Sequence, residues 1–238
     1  EERSRVEFDE DMTLILVRVP YHVENSEVPF QTIPVGIILK PNYIITVASR
    51  NVEVLGEFVS GSVKNFNTSN KERFVLQFLF RVALSFLKCL REINNMTNVN
   101  ERELHKSHKN KELVNLLHLE KSLVYFTTSL RTNELMIGRL AGARQFCLSE
   151  DDKEFMEDVV IEYRQALEMA NIYSNILSGL MDAYASVISN NVNQVMKVLT
   201  SITILLMIPT LATSTYGMNI KLPFQEHPQA FLIVVGGA

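Results

Sequence analysis

From Val198 to Ile220 the chain runs for 23 residues without a charged side chain, mostly in leucine, isoleucine, threonine and methionine. At about 1.5 Å per residue, a helix of that length covers the roughly 30 Å of bilayer hydrocarbon. The run predicts a transmembrane span and constrains everything around it. Lys197, the one cation at its upstream boundary, agrees with a cytosolic location for the preceding residues. A second apolar run, Ala230 to Ala238, is nine residues long and too short to cross. It reads as the start of a second span that is truncated here, so residues are expected after Ala238. The acidic stretch Glu1 to Glu10 carries no signal peptide and leads at once into a strand-like run, so residues are also expected before Glu1.

With 238 residues and 47% hydrophobic content, the chain can build a sizeable core and more than one domain. A formal net charge of −4 gives no reason to expect nucleic acid as a partner. Cys89 and Cys147 are far apart and form no C-x-x-C pair, which suits a reducing compartment. The predicted fold class is mainly α with an N-terminal α/β remnant. Met12–Val19, Ile33–Leu39 and Tyr43–Ala48 are rich in β-branched residues, punctuated by Pro34, Pro41 and Asn42. The last two runs, joined by Lys40-Pro41-Asn42, predict a hairpin.

After a polar break at Asn65 to Asn70, the apolar period becomes helical. Phe74, Phe78, Val82, Phe86 and Leu90 recur at steps of four. Arg81 and Lys88 interrupt the run and point to a buried helix of a soluble domain over 72–94. Residues 94–111 read as a polar loop or solvated helical turn, and a second helix is predicted from Lys111 to Phe146. Ser149-Glu150-Asp151-Asp152 then forms a helix start, with acids in the first turn. Apolar positions from Phe155 through Val159, Tyr163, Ala166, Ala170, Tyr173, Leu177, Leu180 and Tyr184 to Val187 and Ile188 recur at steps of mostly three or four. The predicted element is a very long stalk helix that continues directly into the transmembrane span, about 100 Å in all.

Within that helix, Asn193, Met196, Thr200, Thr203, Met207, Thr210 and Ser214 share one narrow face. A packing seam between helices and the lining of a pore both account for such a stripe. Pro209 removes one backbone hydrogen bond and predicts a kink.

Thr215-Tyr216-Gly217-Met218-Asn219 follows the span. The Tyr-Gly-Met-Asn run at this place resembles the CorA family of magnesium transporters, and the resemblance extends to Asn193 through Thr200 and to Ser178 through Tyr184. It implies a homopentamer embedded in lipid in the inner or plasma membrane, multi-pass, with its N-terminal domain in the cytoplasm. It also implies that Asn193, Met196, Leu199, Thr203, Met207, Thr210 and Ser214 line the pore, with Leu199 where periodicity chose Thr200. Gly217, Met218 and Asn219 would be the selectivity element, Asn219 forming a ring at the outer mouth. Mg2+ would be both the cargo and the regulatory ligand, the latter at Asp158. Around Asp158, residues 149–182 hold nine acids and two bases, which a solvated helix face also explains. Family loops often carry cation-gathering acids; here Glu226 fits that part and Lys221 opposes it.

The corresponding division is 1–70 cytosolic α/β remnant, 71–149 cytosolic helical region, 150–197 stalk, 198–216 first span, 217–229 extracytoplasmic loop and 230–238 start of a second span. A cobalt, nickel or zinc transporter of the same architecture and a non-conducting helical scaffold are the alternatives. No nucleophile–base arrangement or phosphate-cradling loop suggests an enzyme. His105 and His108 sit in a lysine-rich stretch and make a poor metal site. The glycosylation patterns at Asn67 and Asn95 would be unused in a cytosolic segment.

Overall fold

Alternating apolar residues along Thr13–His22 (β2) and Phe30–Leu39 (β3) form the centre of a four-stranded antiparallel sheet in the computed structural model, which describes residues 2–23, 26–64, 66–107, 110–218 and 227–229. Arg5–Phe8 (β1) and Ile44–Ala48 (β4) are the edges, giving the order β1-β2-β3-β4. The expected hairpin is present, with Leu39 opposite Ile44. Ile15, Val17, Val19, Val35 and Ile37 are completely buried. Sequence pattern missed β1, a four-residue strand with two charges.

Pro34 was read as punctuation, yet it lies inside β3 opposite Arg18. Its tolerance has a geometric cause. Arg18 N–H donates to Asn133 Oδ1 at 3.0 Å, and Arg18 C=O accepts from Asn133 Nδ2 at 2.8 Å. Both Arg18 groups therefore face away from β3, and Pro34, across from them, turns its nitrogen the other way. There β4 has already ended, since Ala48 pairs with Val35. Pro20, two residues beyond Arg18, likewise faces the edge past the end of β1 at Arg5–Leu16. Each proline sits where no ladder needs its missing N–H.

Four helices follow: Glu53–Val59 (α1), which packs on the next, Lys71–Ser107 (α2) and Asn110–Ala141 (α3), which both cover the sheet, and Glu150–Tyr216 (α4). α1 was not foreseen; it inserts Phe58 among Phe66, Phe74 and Phe78, with ring centroids 5.2–6.0 Å apart. α2 continues through the stretch predicted as loop or solvated turn. Ile93, Thr97 and Leu104 keep its buried face going, and Thr97 Oγ1 satisfies itself on Ile93 O at 2.9 Å. A polar residue at a buried position hid that face. α3 ends at Ala141 rather than Phe146, because Gly142 and Ala143 close the last turn onto Gly138 O and Leu140 O. Phe146 is buried beyond the helix end. Phe86 of α2, Phe126 of α3 and Phe30 of β3 stack edge to face in the core.

α4 starts as predicted. Asp152 N–H donates to Ser149 Oγ at 3.2 Å, and Ser149 Oγ donates to Asp152 Oδ2 at 2.7 Å. Asp152 also accepts from Arg73 Nη1 at 2.9 Å and Asn70 Nδ2 at 3.4 Å, while Asn70 Oδ1 caps α2 at Arg73 N–H. The starts of α2 and α4 thus share one carboxylate. Burial alone would raise the Asp152 carboxyl, but hydrogen bonds from Ser149, Arg73 and Asn70 and the charge of Arg73 outweigh it and hold it below the usual range. Farther along, Val159, Tyr163, Ala166, Ala170 and Leu177 are completely buried, whereas Val187 and Ile188 of the predicted stripe are exposed. Burial pushes the Tyr163 phenol well up and Asn133 draws it back a little, although no hydrogen bond of good geometry reaches the hydroxyl. The chain forms two compact units, Glu1–Met181 and Asp182–Ala238, and α4 is continuous through the boundary.

Candidate functional site

The second unit is dominated by the end of α4. From Ala185 to Thr215 every residue is exposed except Pro209, Ala212 and Thr215, which are half-buried. An 18-residue stretch of this helix has mean hydropathy 1.9 with none of it buried. Leu205 and Leu211 each reach 71% exposure. Covering each such side chain is worth about 1.5–3 kcal/mol, so a helix left bare along this length requires a non-aqueous surround or protein partners.

Asn193, Met196, Leu199, Thr203, Met207, Thr210 and Ser214 are all exposed and all helical. At about 100° per residue they occupy an arc of roughly 120°. Leu199 and Thr200 lie on opposite flanks of that arc.

The hydroxyls on this face are already oriented. Thr203 Oγ1 donates to Leu199 O at 2.9 Å, and Thr210 Oγ1 donates to Leu206 O at 2.7 Å. Each spends its only hydrogen inside the helix and leaves oxygen lone pairs outward. Off the stripe, Ser201 does the same to Lys197 O at 2.8 Å, Thr213 to Pro209 O at 2.9 Å and Thr215 to Leu211 O at 2.5 Å. Sequence reading missed Thr213, whose signal is a threonine four residues after a proline.

α4 ends at Tyr216, where Gly217 N–H bonds Thr213 O at 3.0 Å and Met218 N–H bonds Thr215 O at 3.2 Å. Gly217 needs no left-handed backbone; among described glycines only Gly61 has positive φ. A Cβ at Gly217 would meet the Thr213 and Ser214 carbonyls at 3.5 Å, an ordinary contact. Gly217 and Met218 are exposed. Asn219, Lys221, Glu226 and residues 230–238 lie outside the described residues, as does His108; the side chain of His105 is likewise not described. His227 Nδ1 accepts from Gln229 N–H at 3.3 Å.

Asp158 lies in the other unit, exposed on α4. Among the described residues no three Asp, Glu, His or Cys side chains are gathered as a metal-holding group. Cys89 is also chemically quiet, since burial pushes its thiol up to about 12.

A family model described as CorA-like Mg2+ transporter protein matches residues 1–238. The Cobalt/magnesium transport protein CorA of Methanocaldococcus jannaschii is 28% identical over 245 residues, which cover 99% of this chain and 74% of that protein. The protein of the same name from Thermotoga maritima is 25% identical, over 92% of this chain and 63% of its own length. Among solved structures, the complete CorA magnesium transporter from Methanocaldococcus jannaschii superposes with a TM-score of 0.84 at 27% identity, covering 99% of this chain and 74% of that one. The ZntB cytoplasmic domain from Vibrio parahaemolyticus shares the fold at a TM-score of 0.63 and 14% identity, covering 82% of this chain and 75% of that one.

Proposed function

The chain belongs to the CorA-like Mg2+ transporter family, and from this premise we propose that five copies form a membrane channel that passes hydrated Mg2+. The observation that carries the reading is the uncharged, unburied end of α4, which presents a stripe of oxygen acceptors and methionines. Asn193, Met196, Leu199, Thr203, Met207, Thr210 and Ser214 line the pore, and α4 serves as both cytosolic stalk and first span. Residues 1–70, 71–149 and 150–197 are the cytoplasmic parts. The span is 198–216, the loop 217–229, and a second span begins at 230, making a multi-pass protein of the inner or plasma membrane.

Mg2+ holds its waters tightly, so a lining that selects it must accept hydrogen bonds from those waters rather than replace them. Thr203 and Thr210 are suited to this, because their own hydrogens are committed to the helix. Met196, Leu199 and Met207 offer no such acceptor and act as apolar constrictions. Asn219 forms the ring at the outer mouth, where a neutral amide oxygen binds the hydrated ion without the slow release that a carboxylate ring would impose. Asp158 is the regulatory contact for cytosolic Mg2+. A second ion is Co2+, because the two named relatives carry cobalt as well as magnesium in their names.

Mg2+ uptake into liposomes carrying the full-length protein tests the mouth. Asn219→Ala is expected to lower uptake at least about tenfold, the loss of one good hydrogen-bonding ring. Uptake equal to wild type would overturn the assignment, and competition by Co2+ measures the second ion.

A further inference from the structure

Pro209 has no N–H, so the Leu205 carbonyl has no backbone donor one turn ahead of it. Around this gap side-chain hydroxyls bond back onto the carbonyls of the preceding turn. Thr210 Oγ1 reaches Leu206 O at 2.7 Å, Thr213 Oγ1 reaches Pro209 O at 2.9 Å and Thr210 O at 3.2 Å, and Thr215 Oγ1 reaches Leu211 O at 2.5 Å. Hydroxyls that back-bond to the preceding turn loosen and bend helices, and an interior proline is the commonest cause of a kink. Both causes coincide here, in under two turns of helix before Gly217 closes the end. Between Asn193 and Ile208 no residue lacks a backbone donor.

We propose that Pro209 is a hinge on which the outer segment of α4, Thr210–Tyr216, tilts relative to the helix before it. The tilt moves the Thr210 and Ser214 positions and leaves those from Asn193 to Met207 in place. This rests on the reading of that face as the pore lining, and gives the outer part of the pore a bore that varies separately from the part before Pro209.

Distances between subunits in the full-length protein, reconstituted in liposomes and spin-labelled in a Cys89→Ser, Cys147→Ser background, test it. Labels go to Ser214→Cys beyond the hinge, Leu199→Cys before it, and Leu205→Cys off the stripe. The expected result is a distribution about twice as broad at position 214 as at 199. Pro209→Ala should narrow the former and leave the latter unchanged, and Thr213→Val, which removes one of the back-bonding hydroxyls, should narrow the former in part. Equal widths at 214 and 199, or a width at 214 indifferent to both substitutions, would overturn the hinge while leaving the pore intact. If labels at 199 and 214 lie farther from their copies than labels at 205, the pore reading fails and the hinge with it.

Discussion

Asp152 is only 4% exposed, and three hydrogen bonds to its carboxylate, one of them from Arg73, keep its charge there. Its carboxyl is held below the ordinary value of 3.8, so the folded state favours the ionised form. The stability it contributes is fully present above the unfolded pKa and is lost as pH falls through the lower folded one. Asp152→Ala leaves Arg73, Asn70 and the Ser149 cap without their acceptor and is expected to cost about 2–4 kcal/mol. Asp152→Asn keeps an acceptor, costs about half as much, and removes this residue's share of the acid sensitivity. Thermal melts of the detergent-solubilised protein between pH 7 and pH 3 check both; an Asp152→Asn variant with the wild-type pH slope would refute the assignment. Sequence showed only half of this node. Ser149 and its acids were legible as a helix start, because capping is local. That Asp152 would also hold Asn70 and Arg73, some 80 positions earlier in the chain, was not, because nothing local links them. Asn133 is a stronger case. A lone asparagine in a helix carries no signal that its amide stands in for a strand at the edge of β2.

Elements were readable where their pattern was apolar and lost where a polar side chain took a buried place. α2 was cut short because Thr97 broke the apolar count, although Thr97 meets its own need within the helix. α4 was legible from end to end, since its first turn has a cap and its last has Gly217. What the pattern of α4 could not specify is where its hydroxyl hydrogens point, because that depends on rotamers. On the proposed reading of this face as a pore lining, the orientation matters for transport. Thr203→Val and Thr210→Val keep the shape of the lining and delete the outward oxygen. Each ring is then expected to lose about 1 kcal/mol of ion stabilisation, about fivefold in Mg2+ flux. Thr203→Ser retains the hydroxyl and should transport nearly as wild type. A valine variant at either position with undiminished flux would show that these oxygens do not contact the hydrated ion.

At the scale of the whole molecule, burial divides α4 into two unlike stretches. Among the described residues, the first unit holds the largest fully buried side chains, including Phe30, Phe78, Phe126 and Tyr163. The exposed aliphatic run Val192–Leu211 belongs to the second. A fragment ending at Asn190 keeps the whole core and drops that run, so it is expected to be water-soluble and to melt cooperatively, where the full chain needs detergent or lipid. It should not stay strictly monomeric. Ile161, Ile172 and Ile176 of α4 are 46–58% exposed in the same unit, beside a segment whose nine acids and two bases leave it strongly negative. Apolar burial favours association of such helices and their charge opposes it. Divalent cations relieve that repulsion more effectively than monovalent salt of equal ionic strength, by bridging carboxylates on neighbouring copies. Sedimentation of the fragment should therefore show association that rises with concentration, rises further with Mg2+, and weakens on Ile172→Lys. A fragment monomeric at all concentrations with and without Mg2+ would mean that the stalk has no part in assembly, and that the copies are held together by the membrane unit alone.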